Sequence, residues 1–323
     1  MRSRPDVLVL GGGGVLGEAW MMGVLAGIED GTGFDLRDCD YYVGTSAGSI
    51  VAAHLIAGHP PRRPSSIGSD LELSTAPRPA DGLAAAGLAA ARRAGEWALA
   101  VGATFAPMAL GLAAPGGAVV RAAMLHRLPR PTDTLAGLRR TVERLEPRFD
   151  GRLRIAAVDR RNGRRVVFGS PGAPTATVAE AVAASCTVPW LFAPVMIDGR
   201  EYVDGGVWSP TNLDAAPAGR DTHVLCLNPT ASLPTSSNVL SVVRSVSRTA
   251  VSVEALVLRR RGAAVQLLAP NEECAETMGT NFMDREPSGR VLAAGYRQGL
   301  AYVTGSVPVV SRPPQPSLPL PRP

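Results

Sequence analysis

The sequence predicts an α/β fold of three layers, with a mainly parallel central sheet between helices and an Ala-rich helical insertion. Three observations lead there. Val7–Leu10 is a short, all-apolar run of the kind that fills a parallel sheet covered on both faces. Gly11–Gly14 and a helical stretch from about Val15 to Glu29 follow it, so strand, glycine loop and helix come in succession. The pattern then repeats: Tyr41, Tyr42 and Val43 are strand formers, and Ser49–Ala57 reads as a buried helix. Between them lies Gly44-Thr45-Ser46-Ala47-Gly48, a G-x-S-x-G on a strand-to-helix turn.

Composition sets the bounds. The chain has 323 residues, 46% hydrophobic, enough for one sizeable core, and at 5% aromatic that core must be filled by Leu, Val and Ala. All 33 basic residues are Arg, against 28 acidic residues, giving a net charge of +5. Such a balance favours anionic surfaces, lipid or nucleic acid. The longest basic run is Arg259–Arg261, and basic residues are not interleaved with aromatics, which argues against nucleic acid. Cys39, Cys186, Cys226 and Cys274 are far apart with no C-x-x-C, so no metal site is expected, and reduced cytosolic thiols are. Arg2 and Arg4 precede an apolar run as in a signal peptide, but Pro5, Asp6 and four glycines break the helix that a signal needs. The chain is read as starting at Met1, inside the cell.

Further along, His59–Pro79 is a Pro/Ser/Arg-rich connector, and residues 80–128 are Ala/Leu/Gly-rich. No charge occurs from Trp97 to Val120, and Trp97, Val101, Phe105, Met108 and Leu112 share one helical face, with Pro107 as a kink. Three readings compete for this insertion: a membrane span, a buried helical pair, and a lid or membrane-docking helix over the site. The last is preferred because the segment interrupts the α/β pattern just after the Ser49–Ala57 helix. Thr132–Pro147 is a charged amphipathic helix, and Arg152–Val158 with Arg164–Phe168 flank a hairpin signal at Asp159–Gly163. Thr175–Cys186 is a small-residue helix, His223–Asn228 a buried strand, Ser236–Arg261 a long helix, Val265–Leu268 a last strand and Gly289–Val303 a last helix. Residues 1–310 are thus read as one domain, and 311–323 as a disordered Pro-rich tail.

The chemistry concentrates in three stretches. A G-x-S-x-G turn lifts its serine above the sheet beside the first N–H groups of a helix, which favour the negative charge of an attacked carbonyl. The loop at 11–14 leaves N–H groups free for the same charge, with the Ala47 N–H as another donor. The two loops meet at the C-terminal edge of the sheet, where open α/β folds carry their sites. The third stretch is Asp198–Gly206, in which a tight Asp198-Gly199 turn leads to Asp204 before a glycine pair. Ser46 needs a proton acceptor. His54 lies in the elbow's own helix, two turns on, and cannot reach back. His59 is in the connector and His126 at the end of the insertion. His223 alone suits a Ser-Asp-His order but opens a strand and reads as a packed or edge residue. Asp204 is therefore the candidate base, its carboxyl made basic by burial.

A rival reading treats Gly12-x-Gly14-x-x-Gly17, with Asp35 or Asp38 about 20 residues on, as a dinucleotide fingerprint. It requires the carboxylate at the end of a second strand, where Gly31–Asp38 reads as a turn, and it leaves Ser46 unexplained.

Taken together, these stretches resemble the patatin-like phospholipase family. Val9–Gly17 resembles its oxyanion loop, Gly44–Gly48 its elbow, Asp204-Gly205-Gly206 its base motif, and Ala184–Pro189 with Phe192 and Pro194 the run before that base. The likeness spans roughly residues 6–60 and 150–303. It implies a serine acyl hydrolase with Ser46 as nucleophile, Asp204 as base and Gly12, Gly13, Gly14 and Val15 as oxyanion loop, needing no metal or organic cofactor. One departure stands out: the family has Arg or Lys before the loop's closing glycine, and this chain has Leu16. The implied partner is a lipid ester, with peripheral contact to the inner face of the membrane through residues 94–120. A catalytically weak membrane- or partner-binding relative is the second expectation, made credible by Leu16.

Overall fold

The computed structural model describes residues 3–64, 117–128, 130–232 and 239–305, with side chains from 247 in the last segment. The readings of residues 65–116 and of the tail at 311–323 lie outside the described residues.

The two predicted repeats form as read. They are β1 (Val7–Leu10) and α1 (Gly14–Thr32), then β2 (Tyr41–Thr45) and α2 (Ala47–Ile56). After the insertion come α3 (Gly117–Arg127), α4 (Ala136–Arg144), β3 (Leu153–Asp159), β4 (Arg165–Phe168) and α5 (Val178–Ser185). The chain continues through β5 (Val195–Ile197), β6 (Arg200–Asp204), β7 (His223–Leu227), α6 (Val239–Arg260), β8 (Ala264–Leu268), α7 (Glu272–Met278) and α8 (Ser288–Val303). The helix expected over Thr132–Pro147 is shorter than read: only Ala136–Arg144 is helical, and its buried side chains are Leu138, Thr141 and Val142. Short helix α7 had no counterpart in the sequence reading.

Parallel pairing joins β3, β2, β1, β7 and β8 in that spatial order. Period-two alternation sends Leu8 and Leu10 to one face of the sheet and Val7 and Val9 to the other. On the first face α1, α2, α5 and α8 complete the larger core; on the second, α6 contributes Val251, Ala255 and Leu258. This is the three-layer α/β/α arrangement. Helices α1 and α8 pack closely through small residues, and Trp20 Nε1–H donates to Gln298 Oε1 across them at 2.8 Å.

Register at β3 sets the geometry of the site. Along one edge, Ile155–Val158 pair antiparallel with β4. Since Ile155 and Ala156 also pair with Gly44 and Thr45, β2 occupies the opposite edge. Ala157 and Val158, paired with β4 as well, take Asp204 and Val203 of β6 on that same opposite edge. Strands β2 and β6 therefore meet end to end along one side of β3, Thr45 opposite Ala156 and Asp204 opposite Ala157. Residues 158 positions apart, Ser46 and Asp204, are brought together by this abutment.

Helix α5, which packs beneath that junction, begins with a complete capping box. Thr177 Oγ1 accepts from the Glu180 N–H at 3.2 Å, and the Thr177 N–H donates to Glu180 Oε2 at 3.0 Å. Thr177→Ala should lower stability by about 1 kcal/mol, read as an earlier urea midpoint with unchanged slope. An unchanged midpoint would show that the box contributes nothing.

Candidate active site

Ser46 sits at φ 52°, ψ −123°, a left-handed conformation rare for any residue with a side chain. The strain is held from both sides. Its N–H donates to Ser185 Oγ at 2.8 Å, and Ser185 Oγ–H donates in turn to the Ala156 carbonyl at 2.7 Å. Its carbonyl accepts from the Ser49 N–H at 2.8 Å and from Ser49 Oγ at 2.6 Å. The flanking glycines are there for close approach: a Cβ at Gly44 would lie 2.5 Å from Ser49 Cα, and one at Gly48 1.9 Å from the Leu10 carbonyl oxygen.

Asp204 is buried at 4% exposure. Burial pushes its carboxyl up to about 7, against the pull of the Gly206 N–H bond and of the neighbouring Ser46 hydroxyl. The Gly206 bond, to Asp204 Oδ1, is 2.6 Å long. Among the described residues no cation contributes to that balance. A carboxyl that titrates near 7 is a candidate proton acceptor at neutral pH. Cys186 lies against the same pair, its thiol pushed up by burial and by the Asp204 charge, so it packs there as a neutral group.

The glycine loop divides its labour. Gly11 and Gly12 N–H groups donate to the Leu227 and Pro210 carbonyls at 2.9 and 2.8 Å. Gly12 was expected among the oxyanion donors; its N–H is already engaged by the Pro210 carbonyl, and a Cβ there would meet Ser46 Cβ at an ordinary 3.4 Å contact. At the start of α1, the Leu16 N–H donates to the Phe282 carbonyl at 3.0 Å and the Gly17 N–H to the Gly13 carbonyl at 2.8 Å. The N–H groups of Gly13, Gly14, Val15 and, on α2, Ala47 find no backbone acceptor among the described residues and are left as the candidate donors.

A family model described as patatin-like phospholipase matches residues 8–217. The chain belongs to the patatin-like phospholipase family. Members of this family are lipid acyl hydrolases. Among solved structures, VipD from Legionella pneumophila is similar to this chain, with a TM-score of 0.46 and 14% identity over 94% of this chain and 67% of VipD. Comparison with curated proteins finds no match.

The rest of this patatin-like site includes residues that sequence reasoning did not single out. Asn212, buried at φ 49°, donates to Thr45 Oγ1, the Ser209 carbonyl and the Gly205 carbonyl at 3.0, 2.8 and 3.3 Å. It thus ties the end of β2 to the turn after Asp204. Glu254 of α6 accepts from Thr211 Oγ1 at 2.8 Å and the Leu213 N–H at 2.9 Å, and burial pushes its carboxyl up to about 7. Ser185 has its signal in the run before the base motif; Asn212 and Glu254 had none.

The histidines fall elsewhere. His223 opens β7 at the N-terminal edge of the sheet, exposed, with Nδ1 3.1 Å from Ser3 Oγ. Strand rise places it about 15–20 Å from the edge that carries Ser46. His54 Nε2 lies 3.0 Å from the Pro60 carbonyl oxygen. The dinucleotide reading fails on its carboxylate: Asp35 caps a short turn before β2 and is bonded to Arg37, while the end of β2 carries the serine elbow. Among the described residues, no helix is long and apolar enough to cross a membrane.

Proposed function

We propose that this patatin-like chain is a serine acyl hydrolase that cleaves carboxylic ester bonds of lipids through Ser46 and Asp204. The observation that carries the reading is a strained serine beside a buried carboxylate, which burial raises to about 7 and the Ser46 hydroxyl pulls back down. Ser46 Oγ attacks the ester carbonyl carbon as its proton passes to Asp204. The N–H groups of Gly13, Gly14, Val15 and Ala47 hold the oxyanion. Collapse expels the alcohol, which leaves with the proton from Asp204. Water then attacks the acyl-serine, giving its proton to Asp204, and Ser46 departs by taking that proton back. Every proton is accounted for without imidazole, metal or organic cofactor.

The family name carries the lipid as substrate, and the basic surface suits an anionic membrane face. Peripheral contact through residues 94–120 belongs to this proposal. Leu16, a core residue at the start of α1, places no cation before Gly17, and that favours a second reading, a catalytically weak protein that binds membrane or partner.

A fluorophosphonate probe separates the two. Stoichiometric labelling, mapped by mass spectrometry to the peptide containing Ser46 and accompanied by turnover of a medium-chain ester, is the expected result. Vesicle binding with Ser46 unlabelled would replace hydrolysis with the second reading.

A further inference from the structure

A second charged cluster lies at the start of α1, and the ester chemistry does not use it. Glu18, one turn into α1, is only 3% exposed, and Arg62 Nη2 donates to its Oε1 at 2.6 Å. Arg285 reaches the same carboxylate electrostatically from the loop between α7 and α8. That loop is fixed over the glycine loop: the Phe282 carbonyl accepts the Leu16 N–H, and Phe282 and Met283 fill the space beside Gly14. On its other side, the Glu18 charge is felt by Cys186, which contacts Ser46. Arg62, Glu18 and the loop carrying Arg285 therefore gather at the start of α1, directly after the glycine loop.

Their polar accounting is incomplete. Arg62 Nε and Arg285 Nη2 are buried and find no hydrogen-bond partner among the described residues. Guanidinium N–H groups are rarely left so, because each has given up its hydration for nothing. Two arginines face one glutamate, which leaves one positive charge in surplus. Buried fork donors with surplus positive charge are the chemistry that grips a tetrahedral oxyanion. Burial also pushes the Arg285 guanidinium down from its usual range, a cost that a bound anion would offset.

We propose that Arg62 and Arg285 form an anion subsite that holds a phosphodiester head group while the acyl ester lies at Ser46. The catalytic consequence rests on the hydrolase reading above; the binding does not.

The test therefore measures binding, by calorimetry on the full chain carrying Ser46→Ala, so that nothing is turned over. Three probes are titrated below their critical micelle concentrations: dihexanoylphosphatidylglycerol, neutral dihexanoylglycerol and inorganic phosphate. The phosphodiester should bind more tightly than the neutral diester. Arg285→Gln should weaken the phosphodiester by about 10- to 100-fold more than the neutral lipid, the effect of one charged hydrogen bond. Arg285→Lys keeps the charge but not the fork, and should lose about tenfold; it decides the matter if the glutamine variant does not fold. Equal affinity for the two lipids, or equal losses on both, overturns the subsite. Inorganic phosphate binding as tightly as the phosphodiester overturns the head-group assignment in favour of the free anion. Absent hydrolysis in the wild type leaves all of these outcomes readable.

Discussion

Asp204→Asn should lower ester turnover by about 10⁴-fold and, at pH 8, make the protein more stable than the wild type. The rate loss follows from chemistry: asparagine keeps the shape and the acceptor for the Gly206 N–H, but it cannot take a proton, and losses near that size follow when a serine's base system is disabled. The stability gain follows from linkage. The folded carboxyl sits near 7, above its ordinary 3.8, because burial penalises the charge. A group raised in this way contributes its stability in full below about 3.8. That contribution is lost as pH rises and is gone above about 7. At about 1.4 kcal/mol for each tenfold, the gap amounts to roughly 4 kcal/mol. Urea unfolding of both proteins from pH 4 to pH 8 should show the difference growing from near zero to that size. Wild-type kcat/KM should rise with pH and level off above about 7, as the base ionises. Parallel stability profiles with a shared loss of activity would mean that Asp204 is a structural turn residue.

Why that carboxylate could be named from the sequence, and its neighbours could not, has a physical basis. The elements on either side of Ser46 announce themselves locally, through an all-apolar run, a glycine loop and a strand-to-helix turn, and the fold follows those signals closely. Asp204 was legible as a candidate because it ends a strand at a glycine pair, no histidine is placed to serve Ser46, and its run resembles a family base motif. What joins it to Ser46 is the register of β3, which gives half of one edge to β2 and the rest to β6. Nothing in residues 153–159 alone specifies that division. The same limit hid Gly12, whose N–H belongs to Pro210, and Glu254, whose partners Thr211 and Leu213 lie about 40 positions away. Helix α7 escaped for a different reason: Glu272–Met278 is too short to display a period. Thr132–Pro147 was over-read because its apolar spacing extends beyond the three residues that the fold buries.

Gly48→Ala should produce the largest stability loss of any single methyl in the site, more than about 3 kcal/mol, with collapse of soluble yield as its extreme form. The added Cβ would stand 1.9 Å from the Leu10 carbonyl oxygen and 2.3 Å from its carbon. Those atoms belong to the end of β1, which is locked on both sides: Leu10 pairs with Gly44 of β2 and with Leu227 of β7. A flexible side chain could swing away from such a contact; a backbone carbonyl in the middle of a parallel sheet cannot. Gly219→Ala provides the control, since a Cβ there meets nothing within 4 Å, and its stability should change by less than about 0.5 kcal/mol. If some Gly48→Ala protein does fold, α2 must have withdrawn from β1 and carried the Ala47 N–H with it. That protein should then react with fluorophosphonate at least about 10²-fold more slowly than the wild type, the size of one lost oxyanion donor. A folded variant with wild-type stability and wild-type labelling would mean that the elbow is not held by its contact with β1, and the strain at Ser46 would need another source.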